Sequence, residues 1–237
     1  MGGRSWLEFG GGAQDVTGEF GDWYTAYARS ALAAGAGDVW FLESRWEEAF
    51  HDRGAYGVVA NTHAFSPDWY SYLSAGAGSG RFHFPRFRAD AALNKKWLPG
   101  RTLVTSLGGT FMRSKDVYRD YALFGGLTAY LGRQVIAEAG GRFNWSSPGS
   151  VSSYRVFGVL TLGRDRRRYL TLRGGAGTES YQLIGPGQVI RSFASQETSL
   201  GWRQWIGAKW GTQLSLEWYH NPSYTRRGGS LGVFRHW

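Results

Sequence analysis

From Gln134 to Trp145 the chain reads QVIAEAGGRFNW. Val135, Ala137, Ala139, Gly141, Phe143 and Trp145 take the odd places, and Gln134, Glu138, Arg142 and Asn144 take even ones. Side chains on a strand point alternately to opposite faces, so this segment predicts a strand with one greasy and one polar face. The pattern recurs and predicts about fourteen strands of roughly nine to thirteen residues, the length of a tilted transmembrane β-strand. They lie near 4–12, 20–31, 38–50, 55–65, 69–79, 86–97, 102–114, 119–131, 134–146, 153–164, 168–179, 193–206, 211–221 and 228–237. Twelve strands is the alternative, if the first hairpin stays out of the wall.

The connections alternate in character. Ser66-Pro67-Asp68, Leu98-Pro99-Gly100-Arg101 and Gly132-Arg133 are compact turns built from residues that bend the backbone for physical reasons. Gly163 to Arg166 and Gly207 to Trp210 belong with them. Ala13 to Phe20, Gly80 to Pro85, Ser114 to Arg119, Ser146 to Ser152, Ser180 to Ser192 and Asn221 to Arg227 are mostly longer or more polar. Outer-membrane barrels keep short periplasmic turns and longer outer loops. An even strand count puts both termini on the short-turn side. The Ser180–Ser192 stretch, with Gly185-Pro186-Gly187, either folds inward as a constriction or stays outside.

The faces indicate which solvent each side meets. The apolar side is assigned Leu7 and Phe9, Trp40, Leu42 and Trp46, Val58 and Ala60, Leu73, and Leu107 and Phe111. It continues with Leu123, Leu160, Leu172, Leu200, Leu216 and Leu231. The opposite side carries charge on nearly every strand. A dry core would have to pair and desolvate those charges at several kcal/mol each. A wet lumen leaves them hydrated, so the greasy side is expected to face lipid. Trp near strand ends (23, 40, 69, 97, 145, 210 and 237) suits the lipid–water interface. Gln204, Arg235 and Glu48 fall on the apolar side, which implies a bulge, an interfacial depth or a wrong parity.

Composition narrows the class. The 237 residues include 36 Gly, 12 Trp and no Cys, which excludes disulfides and thiolate metal sites. The formal charge is +9, but no recognition motif or basic tail accompanies it, so nucleic acid is not an expected partner. No apolar stretch is long enough for a transmembrane helix. Met1-Gly2-Gly3 lacks the regions of a signal peptide, so a mature form with an added initiator Met is expected. The whole of 1–237 is read as one outer-membrane β-barrel domain of a Gram-negative bacterium.

The segments RRRYLTLRGGAGTESYQLIGPG (166–187), WRQWIG (202–207), AEAGGRFNWSSPGSV (137–151) and the ending LGVFRHW resemble the YaiO-type family of outer-membrane β-barrel proteins. The resemblance covers almost the whole chain and implies a barrel more firmly than an activity. It also implies a glycan-related role, in the style of exopolysaccharide secretion barrels. The ending, with Leu231, Val233 and Trp237 on one face, resembles the signal read by the barrel-assembly machinery, though Trp stands for the usual Phe and Arg235 breaks the pattern.

Candidate chemistry sits in three places. Arg142, Arg155, Arg173 and Arg203, from four successive strands, predict a basic lumenal ladder. Glu8, Glu43, Glu47 and Glu217 predict an acidic wall across the barrel closure, interrupted by Arg29 and Arg45. Such walls orient polar solutes and favour anions near the arginines, so an anionic or glycan solute is one expectation and bracing ion pairs are the other. Phe157, Tyr169, Trp205, Tyr219 and Phe234 are candidate sugar-stacking rings, or fillers beside glycines. Arg81, Arg113, Lys115, Arg226 and Arg227 are candidate contacts to lipopolysaccharide phosphates, as are Arg86, Arg119 and Arg191. No nucleophile elbow, zinc-type His pair or phosphate-cradling Gly loop appears, so no enzyme activity, metal or cofactor is expected. The acid–base candidates for the alternative, an enzyme acting on lipid or lipopolysaccharide, are His51, His83 and His220 with Asp52 or Asp116. A non-conducting docking barrel is the remaining alternative to a conduit.

Overall fold

A computed structural model describes residues 5–185 and 187–237. The described chain forms fourteen antiparallel strands closed into one barrel. They are β1 (Trp6–Val16), β2 (Trp23–Ala34), β3 (Asp38–Ala49), β4 (Asp52–Ala64), β5 (Trp69–Gly78), β6 (Phe87–Trp97) and β7 (Leu103–Arg113). The second half comprises β8 (Arg119–Leu131), β9 (Val135–Ser147), β10 (Val151–Arg164), β11 (Arg168–Gly185), β12 (Gln188–Trp205), β13 (Trp210–His220) and β14 (Thr225–His236). β1 pairs with β14 from Trp6↔His236 to Val16↔Arg226, so the first hairpin belongs to the wall and the twelve-strand alternative fails. Closure leaves no strand edge, which satisfies every backbone group within the bilayer.

The alternation sorts the faces. Leu107, Leu123, Leu172, Leu216 and Leu231 are exposed on the outside, as a lipid-facing band requires. Trp40, Trp97, Trp202, Trp210 and Trp237 ring the short-turn end, and Tyr24, Trp46, Tyr121, Trp145 and Tyr154 ring the other. Amphipathic rings at both lipid–water boundaries match membrane girdles. Short turns bend at residues free to adopt positive φ, Gly35 (φ 76°) and Gly132 (φ 73°) among them.

Three assignments change, and one is explained. On β4 the register Glu43↔Val58 turns Val58 and Ala60 to the lumen and Val59 to lipid. The run Gly57-Val58-Val59-Ala60 is apolar at every place, so alternation alone could not fix its parity. Trp23 also faces inward and is buried, so it is not part of a girdle. Residues 180–185 and 188–192 are not an irregular loop but continue β11 and β12 as a hairpin beyond the barrel rim; Pro186, like Met1, Gly2 and Gly3, lies outside the described residues. Glu48, Gln204 and Arg235 face outward at strand ends, where water is within reach. There Glu48 pairs with Arg53 at 3.0 Å, Gln204 donates to the Arg167 carbonyl and Arg235 lies over Trp210.

Candidate functional site

The β11–β12 hairpin leans over the long-loop mouth. Leu183, Ile184 and Ile190 pack against a buried cluster of Val16, Trp23, Phe50, Phe82, Tyr219 and Tyr224. Asp52 anchors the β5–β6 loop beneath it by accepting the backbone N–H groups of Arg81, Phe82 and His83 at 2.9–3.0 Å. That loop thereby sends Phe82, His83 and Phe84 inward. His83 bonds Glu47, and Phe84 stacks on Tyr56 at 5.5 Å. Tyr181 reaches across to Tyr118, with ring centroids 4.7 Å apart. A roof of apolar and aromatic groups thus spans one mouth of a polar barrel.

Beneath the roof lies a lumenal cavity of about 640 Å³, lined by Arg29, Glu43, Arg45, Glu47, Asp120, Arg155, Glu179, Glu197 and Glu217 among others. A second cavity of about 590 Å³, nearer the short-turn end, is lined by Glu138, Phe157, Tyr169, Arg173 and Arg203. Gln213 and Ser215 border both.

The four arginines of the ladder all face the lumen, but carboxylates stand among them. Arg155 pairs with Glu179 at 3.1 Å and with Glu197 at 2.7 Å, and Arg173 with Glu197 at 3.3 Å. Basic and acidic walls are therefore not separate. Strand parity could have located both glutamates, since each lies six residues from an inward arginine, Glu179 from Arg173 and Glu197 from Arg203. Arg142 instead donates to Asn144 and forms no carboxylate ion pair among the described residues. Arg203 on β12 reaches past β13 and β14 to Glu8 at 2.7 Å, and Glu8 also takes Arg29 at 2.6 Å and the Tyr27 hydroxyl at 3.2 Å. Glu8 is fully buried, a placement a carboxylate tolerates only when paired. Sequence reasoning put Glu8 in the lumen but did not foresee that it bridges β1, β2 and β12. Glu43 and Glu47 flank Arg45, and Glu217 accepts from Gln14 at 2.8 Å.

The candidate rings are inward and mostly packed. A Cβ built on Gly140 would meet the Phe157 ring at 2.7 Å, and one on Gly211 would meet Phe234 at 2.1 Å. Trp205 packs edge-on against Phe234 at 5.0 Å and Tyr169 at 5.7 Å, and Tyr219 belongs to the roof. Rings filling the space above glycines account for these contacts, and only Phe157 and Tyr169 line the lower cavity.

At the long-loop rim Arg81, Arg113 and Arg227 are exposed. Lys115 turns back to the Gly80 carbonyl at 2.8 Å. Arg226 is a correction: it occupies an inward place on β14, and its guanidinium lies 4.5 Å over Trp23 and 5.3 Å over Tyr219. The shift from loop to strand start at Thr225 gives it that parity. Of the acid–base candidates, His51 contacts the Glu19 carbonyl and His220 the Thr225 hydroxyl, while Asp52 spends its oxygens on backbone N–H groups. Among the described residues no His/Asp/Glu cluster has the geometry to hold a metal.

Solved structures share this architecture at low identity. A channel titled the CymD monoaromatic hydrocarbon channel aligns over 98% of this chain and 88% of its own, at 7% identity and a TM-score of 0.65. A bacterial polysaccharide outer membrane secretin aligns over 99% and 98%, at 8% identity and a TM-score of 0.63. Omp33 of Acinetobacter baumannii aligns over 99% and 100%, at 11% identity and a TM-score of 0.62. At such identities the likeness speaks to fold. No curated protein matches in sequence. The family model described as the YaiO membrane beta barrel domain matches residues 6–182, and the chain belongs to that family of outer-membrane barrels.

Proposed function

We propose that this barrel is a passive conduit for small polar or anionic solutes across a Gram-negative outer membrane, with saccharides the favoured class. The observation that carries the reading is the charge-lined cavity of about 640 Å³ under an apolar roof. A volume of that order holds a solute of drug or short-saccharide size. Its wall alternates donors and acceptors, which suits hydroxyl-rich molecules. The β11–β12 hairpin serves as the gate, because its contacts to the roof are side-chain contacts that a local movement can break. Two barrels of similar architecture, a monoaromatic hydrocarbon channel and a polysaccharide outer membrane secretin, support a transport reading.

Reconstitution in a planar bilayer tests the reading. The wild type is expected to conduct in brief openings, and Leu183→Asp with Ile190→Asp is expected to hold it open. Replacing Arg155 and Arg173 by Ala leaves Glu179 and Glu197 unbalanced, so selectivity is expected to swing toward cations. Absence of conductance in both the wild type and the roof variant overturns the reading. The braced lumen then favours a docking barrel, because most of its charges already have partners. An enzyme acting on lipid A would instead show as a mass change in lipid A from cells carrying the protein.

A further inference from the structure

The lipid face of β7 and β8 carries a feature the lumen does not explain. From the long-loop end inward its cross-strand pairs run Arg113↔Arg119, Phe111↔Tyr121, Gly109↔Leu123 and Leu107↔Gly125. Two arginines thus stand directly opposite each other on one outward face. Like charges in that position destabilise a strand pair. Both residues are exposed, and among the described residues neither guanidinium has an ion-pair or hydrogen-bond partner. Arg86, also exposed, is tied to the same corner by its N–H bond to the Arg113 carbonyl at 2.9 Å. By contrast, Arg53 at the same rim is neutralised by Glu48, and Arg101 at the other end by Asp68.

Directly below the arginines lie the Phe111 and Tyr121 rings, 5.2 Å apart. Below them the wall recedes. Ala89, Ala91 and Gly109 floor an outward groove of about 980 Å³, with Leu73 and Leu123 along it and Trp145 at its rim. A row of positive charge at headgroup depth thus caps an apolar trough at acyl-chain depth. That order of chemistry matches an amphiphile with an anionic head, oriented as in an outer leaflet.

We infer that this corner binds one phosphorylated glycolipid of the lipid A type. One phosphate sits between Arg113 and Arg119 in charge-assisted hydrogen bonds, and one acyl chain lies in the groove. Binding relieves the repulsion between the two guanidinium groups, so this pair should retain lipid better than single rim arginines do. Arg227, on β14 and remote from β7 and β8 in the barrel order, supplies that comparison.

Native mass spectrometry of the folded barrel, released from detergent with bis-phosphorylated lipid A, tests the assignment. One lipid is expected to persist on the wild type. Arg113→Gln with Arg119→Gln is expected to weaken retention about tenfold or more, as is removal of both phosphates from the lipid. Arg113→Lys with Arg119→Lys should recover part of it, and Ala91→Phe, which fills the groove, should weaken retention with both arginines present. Heat-modifiable gel migration shows that each variant is folded. Equal retention by the double Gln variant, equal loss in Arg227→Gln, or displacement of the lipid by millimolar inorganic phosphate would each overturn the inference. None of these outcomes depends on whether the lumen conducts.

Discussion

Glu8 is the residue whose removal tells most about how the barrel holds itself. It is fully buried in the lumen and is held by Arg29 at 2.6 Å, Arg203 at 2.7 Å and the Tyr27 hydroxyl at 3.2 Å. At an effective dielectric near 20, each of these ion pairs has a gross attraction of about 6 kcal/mol, most of it offset by desolvation. In Glu8→Ala both guanidinium groups lose their anion. Arg29, with 36% of its side chain exposed, can turn to water. Arg203, 20% exposed and 3.6 Å over the Phe234 ring, keeps only Gln213 as an acceptor among the described residues. The cost should therefore lie at or below the lower end of the 3–5 kcal/mol typical of an orphaned buried charge, at about 2–3 kcal/mol. Glu8→Gln preserves volume and an acceptor and should cost about 1–2 kcal/mol. The assay is urea unfolding of the barrel in detergent or lipid, followed by tryptophan fluorescence, with Arg203→Met and the double variant completing a cycle. The double variant should be less damaged than the two single losses added together, by about 1–2 kcal/mol. Glu8→Ala within about 0.5 kcal/mol of wild type, or strict additivity with Arg203→Met, refutes the account of Glu8 as a brace.

Gly108→Val should destabilise the barrel by about 1–3 kcal/mol in the same unfolding assay, because even a Cβ at Gly108 would lie 2.3 Å from the Phe124 ring. In bilayers, Arg142→Ala should lower anion preference without disturbing the Arg155–Glu197 pair, so its unfolding midpoint should stay near wild type. Burial raises the Tyr224 phenol above its ordinary pKa of 10.0. A raised folded value means the packed roof keeps its full stability below pH 10 and loses it as pH climbs through the folded pKa. Alkaline titration of conductance should therefore open the wild type, with Tyr224→Phe lacking that share of the change. If Tyr224→Phe opens identically, the roof does not respond through this residue.

The sequence by itself determined the barrel. Alternation over strands long enough to cross a bilayer, charges on one face and aromatic residues at strand ends leave a single arrangement in which lipid meets apolar groups and water meets charge. Counting such segments between turns gave about fourteen strands with twelve left open, and only the β1–β14 pairing decided between them; the inward placement of Arg142, Arg155, Arg173, Arg203 and Glu8 followed from parity. Parity failed on β4, where both faces carry small or apolar groups and only pairing with Glu43 fixes the sense. It failed to place Arg226 because one residue of strand start decides inward from outward. The tertiary structure alone decided what the charges do to one another. Glu8 and Arg203 are 195 positions apart and meet only because closure of the cylinder carries β1 round to β14. The roof is of the same kind: Leu183, Val16 and Phe50 have no sequence relation, and their contact exists because a hairpin longer than its neighbours must bend over the mouth to hide its apolar tip from water.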